Sequence, residues 1–143
     1  MKKEKTLTVL LLPLFFAAFL YSCSGDDEKL TSEQYLQKGL DKYVERNYIE
    51  AIRFYDKSIE LNQNNSVAFH QRGLAKGLLN DFGGALSDLN RAIELDPNYA
   101  QAFSNRGSIK IRMGKPDEGC EDYHTAVRLG YDDANLEIQK YCQ

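Results

Sequence analysis

A spacing of 34 residues recurs along this chain of 143 residues. It separates Gly39 from Gly73, Gly73 from Gly107, and Ala51 from Ala85. A constant period of this length indicates that one supersecondary unit is repeated. Such a unit cannot bury its apolar face alone, so neighbouring units must stack to form a common core. The spacing therefore predicts a stack of similar units that offers a grooved surface for binding.

Aligned at this period, three units carry residues of similar size at the same positions. An aromatic ring recurs at the fourth position, glycine at the eighth and a small residue at the twentieth: Tyr35, Phe69 and Phe103; Gly39, Gly73 and Gly107; Ala51, Ala85 and Gly119. Small residues let two helices cross closely, while the rings fill the space beside the crossing. In this pattern the chain resembles the tetratricopeptide repeat family, whose units are helix–turn–helix hairpins of an A helix and a B helix.

The resemblance implies an all-α fold, a right-handed α-solenoid of three hairpins at residues 32–65, 66–99 and 100–133. After a turn at Gly130, residues 134–143 alternate apolar and polar side chains, which predicts a C-terminal capping helix over the last apolar face. Residues 31–143 are thus expected to form one domain.

Residues 1–22 predict a lipoprotein signal peptide. Three lysines precede an apolar run at 7–20, which is shorter than the roughly 20 residues of a membrane span. The following Leu20-Tyr21-Ser22-Cys23 resembles the lipobox of bacterial lipoproteins, which implies cleavage before Cys23 and acylation of that cysteine, with palmitate expected among the acyl chains. Two or more chains hold a protein stably on a membrane. The alternative is an uncleaved membrane anchor with an incidental cysteine.

Residues 23–30 contain the lipidated cysteine and a polar, acidic stretch that predicts a flexible tether. This stretch also resembles the acidic tag that sends some lipoproteins of two-membrane bacteria to the outer face of the outer membrane. Ser24 agrees with sorting away from the inner membrane. We therefore expect a lipid-anchored protein of the bacterial outer membrane, on its periplasmic or its cell-surface face.

Charge and motifs argue against several classes of protein. The net charge is −3, and −5 without residues 1–22, whereas nucleic-acid binding requires a clustered basic face. The sequence has no Gly-rich phosphate loop, no His-Glu-x-x-His motif and no serine nucleophile elbow. We expect no catalytic residue, no cofactor, no metal and no small-molecule substrate.

Basic residues stand at the seventh and eleventh positions of the A helices, one turn apart: Lys38, Arg72 and Arg106; Lys42, Lys76 and Lys110. An aspartate follows each arginine at a distance of 16 residues. We therefore predict two structural ion pairs across the hairpins, Arg72 with Asp88 and Arg106 with Asp122. The alternative is a basic ladder that binds an acidic partner.

Two cysteines, Cys120 and Cys142, lie at similar distances on either side of the turn at Gly130. Antiparallel helices joined there would bring them to the same height, and a compartment outside the cytoplasm permits disulfides. We predict a disulfide that holds the cap on the last repeat. The alternatives are two free thiols, or a metal site with His124, which would lack a fourth ligand.

The resemblance also implies a ligand groove along the A helices. Its predicted lining is Leu36, Leu40, Tyr43, His70, Leu74, Gln101, Ser104, Ser108, Ile111 and Arg112. This lining is mainly apolar in the first two units and polar in the third, which favours a peptide with aliphatic anchors. The lysine–asparagine clamp of chaperone-binding members is absent, because its places hold Leu36, Leu40, Gln71, Gln101 and Asn105.

Together these features predict a membrane-anchored adaptor or scaffold of the bacterial cell envelope, which binds a protein or peptide partner in its groove. The alternative is a structural subunit of a larger envelope assembly, whose repeats stack edge to edge and bind no peptide.

Overall fold

The computed structural model describes residues 29–142, in which seven α-helices form three antiparallel hairpins and a cap. The helices are α1 (Ser32–Val44), α2 (Tyr48–Leu61), α3 (Ser66–Leu78), α4 (Phe82–Leu95), α5 (Ala100–Arg112), α6 (Pro116–Arg128) and α7 (Ala134–Tyr141). The predicted all-α class of stacked hairpins is confirmed. None of the described helices is long and apolar enough to span a membrane. The predicted signal peptide and Cys23 lie outside the described residues.

Helix starts and hairpin turns follow the repeat. The side chains of Asn47, Asn65 and Asp81 each accept a hydrogen bond from a backbone N–H in the first turn of the helix that follows, which satisfies a donor that the helix itself cannot. Each hairpin turns through one residue with positive φ, at the same position of every unit. These residues are Arg46 (61°), Asn80 (63°) and Gly114 (77°).

The core of each hairpin lies where a small residue faces a large one. A Cβ added to Gly73 would lie 3.1 Å from Leu89 Cγ, and one added to Gly107 would lie 2.7 Å from the carbonyl oxygen of Gly119. Tyr55, Leu89 and Tyr123 occupy one position of the three B helices and are fully buried. The close crossings therefore depend on glycine at the eighth position.

The hairpins are joined through their A helices. Each B helix packs against the next A helix, α2 on α3 and α4 on α5. The A helices also contact one another, α1 with α3 and α3 with α5. We infer that the A helices line the inner, concave side of the stack, so the groove residues must be sought on α1, α3 and α5.

Candidate peptide-binding groove

An aliphatic strip runs over the A helices of the first two hairpins. Residues four apart share one face of a helix, and on this face α1 and α3 carry aliphatic side chains on successive turns. Val44 is 81% exposed, Leu78 46% and Val67 38%, while the predicted groove residues between them are half-buried. The half-buried members of the strip are Leu36, Leu40 and Leu74.

Tyr43 and Ile111, which were also predicted to line the groove, contact the B helices of their own hairpins. Each follows the eighth-position glycine by four residues and so shares the face that packs on the B helix. Tyr43 meets Tyr48 edge to face, with ring centroids 5.4 Å apart. Ile111 packs at Gly119 in the core of the third hairpin. Both side chains therefore stabilise their own hairpins.

His70 was expected to be a polar contact in the groove, but it is only 4% exposed. Its Nδ1 lies 3.1 Å from the hydroxyl of Tyr99, and its Nε2 lies 2.8 Å from Asn105 Nδ2. Burial lowers the pKa of His70 to about 4, so the ring is neutral at pH 7. Because an amide nitrogen can only donate, Nε2 accepts, and the single ring proton sits on Nδ1 and points to Tyr99. His70 thus joins α3 to α5.

Arg112 is likewise held by the protein itself. It donates from Nη1 to the carbonyl oxygen of Gly77 at 3.2 Å and from Nη2 to Asn80 Oδ1 at 2.8 Å. Its guanidinium carbon lies 4.6 Å from the ring centroid of Phe82. Arg112 therefore connects the third hairpin to the turn of the second.

The remaining predicted residues lie on α5, the A helix of the third unit. Gln101 is exposed, whereas Ser104 and Ser108 line a cleft of about 330 Å³ between α5 and the cap. Tyr123 reaches this cleft from α6, where its hydroxyl has Ser108 as a polar neighbour. On the opposite wall stand Tyr131, Asp133 and Glu137. This cleft could not be predicted from the sequence, because it depends on how α7 packs.

Comparison with known proteins identifies the fold. The family model described as TPR repeat, the tetratricopeptide repeat, matches residues 78–114. The structure described as the first TPR of Spaghetti (RPAP3) bound to HSP90 peptide SRMEEVD is 30% identical, with a TM-score of 0.76. The match covers 79% of this chain and 91% of that one. The chain belongs to the tetratricopeptide repeat family.

Two further structures are similar over most of the chain. The Arabidopsis OM64 TPR domain is 25% identical, with a TM-score of 0.74 and coverage of 77% of this chain and 93% of that one. The second TPR domain of human RPAP3, in complex with HSP70 peptide SGPTIEEVD, is 27% identical, with a TM-score of 0.73 and coverage of 78% and 95%. A search of curated protein sequences gave no match.

In this TPR domain each predicted ion pair forms a bidentate contact. Arg72 Nη2 and Nε lie 2.6 and 2.9 Å from the two carboxylate oxygens of Asp88. Arg106 and Asp122 repeat these distances. A lysine adds a third contact to each aspartate, at 2.7 Å from Lys76 and 2.8 Å from Lys110. These bases lie at the contact between A and B helices, where they hold the hairpins closed.

Each arginine also reaches back to the preceding TPR hairpin, a contact that the sequence reasoning missed. Arg72 Nη1 lies 2.6 Å from Asp56 Oδ1, and Arg106 Nη1 lies 2.8 Å from Asn90 Oδ1. The sequence could have predicted this contact, because Asp56 and Asn90 precede their arginines by 16 residues, the same distance at which the aspartates follow. One side chain thus links three helices.

The C-terminal cap is joined covalently to the last TPR hairpin. Cys120 of α6 and Cys142, which follows α7, form a disulfide with their Cα atoms 5.7 Å apart. Ala134 and Ile138 of α7 pack beside Tyr123 and Ala126 of α6. Within residues 29–142 no three His, Cys, Asp or Glu side chains converge as metal ligands.

Proposed function

We propose that this TPR protein is an adaptor that binds a peptide segment of a partner protein along its A helices, and that lipid on Cys23 anchors it in the bacterial outer membrane. The groove and the anchor rest on different observations and are tested separately.

The exposed aliphatic strip is the observation that carries the groove. Val44, Val67 and Leu78 leave apolar surface in water on two adjacent helices, and a contiguous patch of this kind is typical of a binding site. Burial of apolar area under a ligand stabilises a complex by about 25 cal/mol per Å² before the cost of association is subtracted. A peptide with aliphatic side chains is the ligand that this surface fits.

The similar structures support binding of a peptide but not of the same peptide. The two RPAP3 domains are described with HSP90 and HSP70 peptides that end in Glu-Glu-Val-Asp. In this chain, leucines stand at Leu36 and Leu40, where chaperone-binding members carry the polar residues of their clamp. An aliphatic ligand is favoured there over an acidic tail.

The groove is tested by capturing crosslinked partners from detergent extracts of the envelope. We expect Val44→Asp with Leu78→Asp to abolish capture of a discrete partner, because a carboxylate in the strip would have to be desolvated. Ile49→Asp with Leu61→Asp is the matched control, since these exposed aliphatic residues lie on α2. Leu40→Ala with Leu74→Ala should weaken capture as well. Undiminished capture by the groove variants would exclude the groove and favour the assembly subunit.

The anchor is supported by the basic start, the apolar run and the lipobox-like sequence at residues 1–23. Wild-type protein should enter the detergent-rich phase of a phase-separating detergent and incorporate a palmitate analogue, while Cys23→Ala should do neither. Protease treatment of intact cells then distinguishes the cell-surface from the periplasmic face. A Cys23→Ala protein that still enters the detergent phase would favour the uncleaved anchor.

A further inference from the structure

The cleft between α5 and α7 carries negative charge, whereas the aliphatic strip on α1 and α3 is uncharged. Asp133 and Glu137 stand on one wall, with Ser108 and Asn105 opposite and the ring of Tyr131 beside them. No lysine or arginine lines this cleft. Its walls therefore combine two carboxylates, hydrogen-bonding groups and an aromatic ring, a set that suits a cationic side chain.

Neither carboxylate makes an ion pair or a side-chain hydrogen bond in the part of the chain that the structure describes. Asp133 occupies the N-cap of α7 but makes no side-chain capping bond. No lysine or arginine nitrogen lies within 4.0 Å of Asp133 or Glu137 in residues 29–142. Burial raises the pKa of the Tyr123 hydroxyl, and the charge of Glu137 adds to that rise. Both carboxylates are thus available to a ligand.

Most nearby cations are held by other contacts, and Lys140 of α7, whose charge interacts with that of Glu137, lies over the ring of Tyr141 at 4.7 Å. Arg106 and Lys110 are bound to Asp122 at the A–B contact. Arg112 is bound to Gly77 and Asn80, and Lys115 to Glu118 at 3.2 Å. The third unit therefore presents negative charge to a ligand on its inner face.

We propose that this cleft receives a lysine or arginine side chain of the peptide whose aliphatic residues occupy the strip. The inference rests on the proposed function and specifies its partner, which is an apolar segment with a basic residue toward one end. It also explains why a basic peptide would be preferred to an acidic one, because an acidic tail would place its carboxylates beside Asp133 and Glu137.

The geometry sets the spacing between the anchors. Packed helices lie about 8–10 Å apart and an extended chain advances about 3.3 Å per residue, so one repeat corresponds to about three residues of ligand. Two leucines about three residues apart would lie over α1 and α3, and the basic residue would follow the second by about four or five. Probe peptides are therefore blocked at both ends, carry these two leucines, and vary only the last anchor among Lys, Gln and Glu. A second set places that anchor before the leucines.

The test measures binding of these peptides to the full-length protein in detergent. In one of the two sets, we expect the lysine peptide to bind at least about tenfold more tightly than the glutamate peptide at low salt. The double variant Asp133→Asn with Glu137→Gln should reduce this difference to about twofold or less. Glu60→Gln with Glu121→Gln removes two exposed carboxylates from the B helices and should leave the difference intact.

The outcomes separate the cleft from the groove. If Lys, Gln and Glu peptides bind equally and all are weakened by Val44→Asp with Leu78→Asp, the groove is supported and the cleft proposal is overturned. If the preference for the lysine peptide persists in the cleft variant, which is Asp133→Asn with Glu137→Gln, the proposal is also overturned. N-acetyl-lysine methylamide, titrated to about 20 mM and followed by NMR, tests the cleft without the leucines. Saturable shifts at Ser108 and Tyr131 that disappear in the Asp133→Asn, Glu137→Gln variant would support the cleft even if no peptide binds, and their absence in the wild type would overturn it.

Discussion

Two tyrosines at one position of the repeat differ in a single hydrogen bond. Tyr55 and Tyr123 are both buried at the centre of a hairpin. The hydroxyl of Tyr123 has Ser108 as a polar neighbour with which it can exchange a hydrogen bond, whereas Tyr55 Oη is buried without a hydrogen-bond partner in the described chain. The ninth position explains the difference, since it is serine in the third unit and Leu40 in the first.

We expect the two phenylalanine substitutions to have opposite effects on stability. Tyr123→Phe should lower the free energy of unfolding by about 1 kcal/mol, since it leaves Ser108 without its partner. Tyr55→Phe should be neutral or raise that free energy by up to about 1 kcal/mol, because it removes a hydroxyl that is desolvated without compensation. Urea unfolding at neutral pH measures both. Equal losses in the two variants would show that Tyr55 has a partner in solution.

His70 makes the domain sensitive to acid. Its pKa is about 4 in the folded state, against the ordinary histidine value of 6.5, so between these values the unfolded chain binds a proton that the folded chain does not. The free energy of unfolding must therefore fall as the pH falls from 6.5 to about 4, by up to about 3 kcal/mol. Above pH 6.5 both states are neutral at this residue and it contributes no slope.

The measurement is the difference between wild type and His70→Gln, because the carboxylates common to both then cancel. Urea unfolding should show His70→Gln less stable than wild type at pH 7, since the contacts to Tyr99 and Asn105 are altered. This difference in the free energy of unfolding should become smaller, or change sign, by pH 4.5. A difference in the free energy of unfolding that is the same at pH 7 and pH 4.5 would contradict a buried neutral histidine.

At the scale of single elements, two glycines on neighbouring hairpins have opposite roles. A Cβ at Gly83, in the first turn of α4, would meet nothing within 4 Å, whereas one at Gly107 would meet the carbonyl oxygen of Gly119 at 2.7 Å. Gly83→Ala should therefore raise the free energy of unfolding by about 0.5–1 kcal/mol through helix propensity. Gly107→Ala should lower it by more than that, because α5 and α6 must move apart. Thermal unfolding by circular dichroism tests both, and a stable Gly107→Ala would refute the close crossing.

The cap depends on its disulfide more than on its packing. The helix α7 has only eight residues and one fully buried side chain, Ala134. The bond between Cys120 and Cys142 closes a loop with a sequence separation of 22, which corresponds to about 3 kcal/mol in the chain-entropy description. We expect Cys120→Ser with Cys142→Ser to speed hydrogen exchange in α7 first. Reduced wild type should behave like the double variant, and unchanged exchange in both would show that packing alone holds the cap.

At the scale of the whole molecule, most of the contacts that the sequence predicted recur from repeat to repeat. The spacing of 34 residues predicted the hairpins, the close crossings at glycine and the pairing of Arg72 with Asp88, because each is a contact at fixed separation. The contacts of His70 and Arg112 join residues of different units that share no pattern: His70 meets Tyr99, and Arg112 meets Asn80. The cleft beside α7 likewise depends on packing at the end of the stack.

The stack also makes the effect of one substitution depend on its place along the chain. Asp88 and Asp122 have nearly the same surroundings, each with an arginine and a lysine and with side chains 5% and 6% exposed. Alanine at either site removes the carboxylate that an arginine and a lysine share, which should cost up to about 3 kcal/mol. Arg72 then keeps its contact with Asp56, and Arg106 keeps its contact with Asn90. The two substitutions thus remove the same local contacts, while their positions in the solenoid differ.

Hydrogen exchange should separate the two variants, because each repeat is stabilised mainly by its neighbours. Asp122→Ala weakens the terminal hairpin, so exchange should rise in α5, α6 and α7 while α1 to α4 keep most of their protection. Asp88→Ala weakens the central hairpin and leaves no intact pair of neighbours, so protection should fall along the entire domain. The two variants compared at equal urea concentration provide the control for each other. Identical exchange patterns would mean that the domain unfolds as one unit irrespective of where it is weakened.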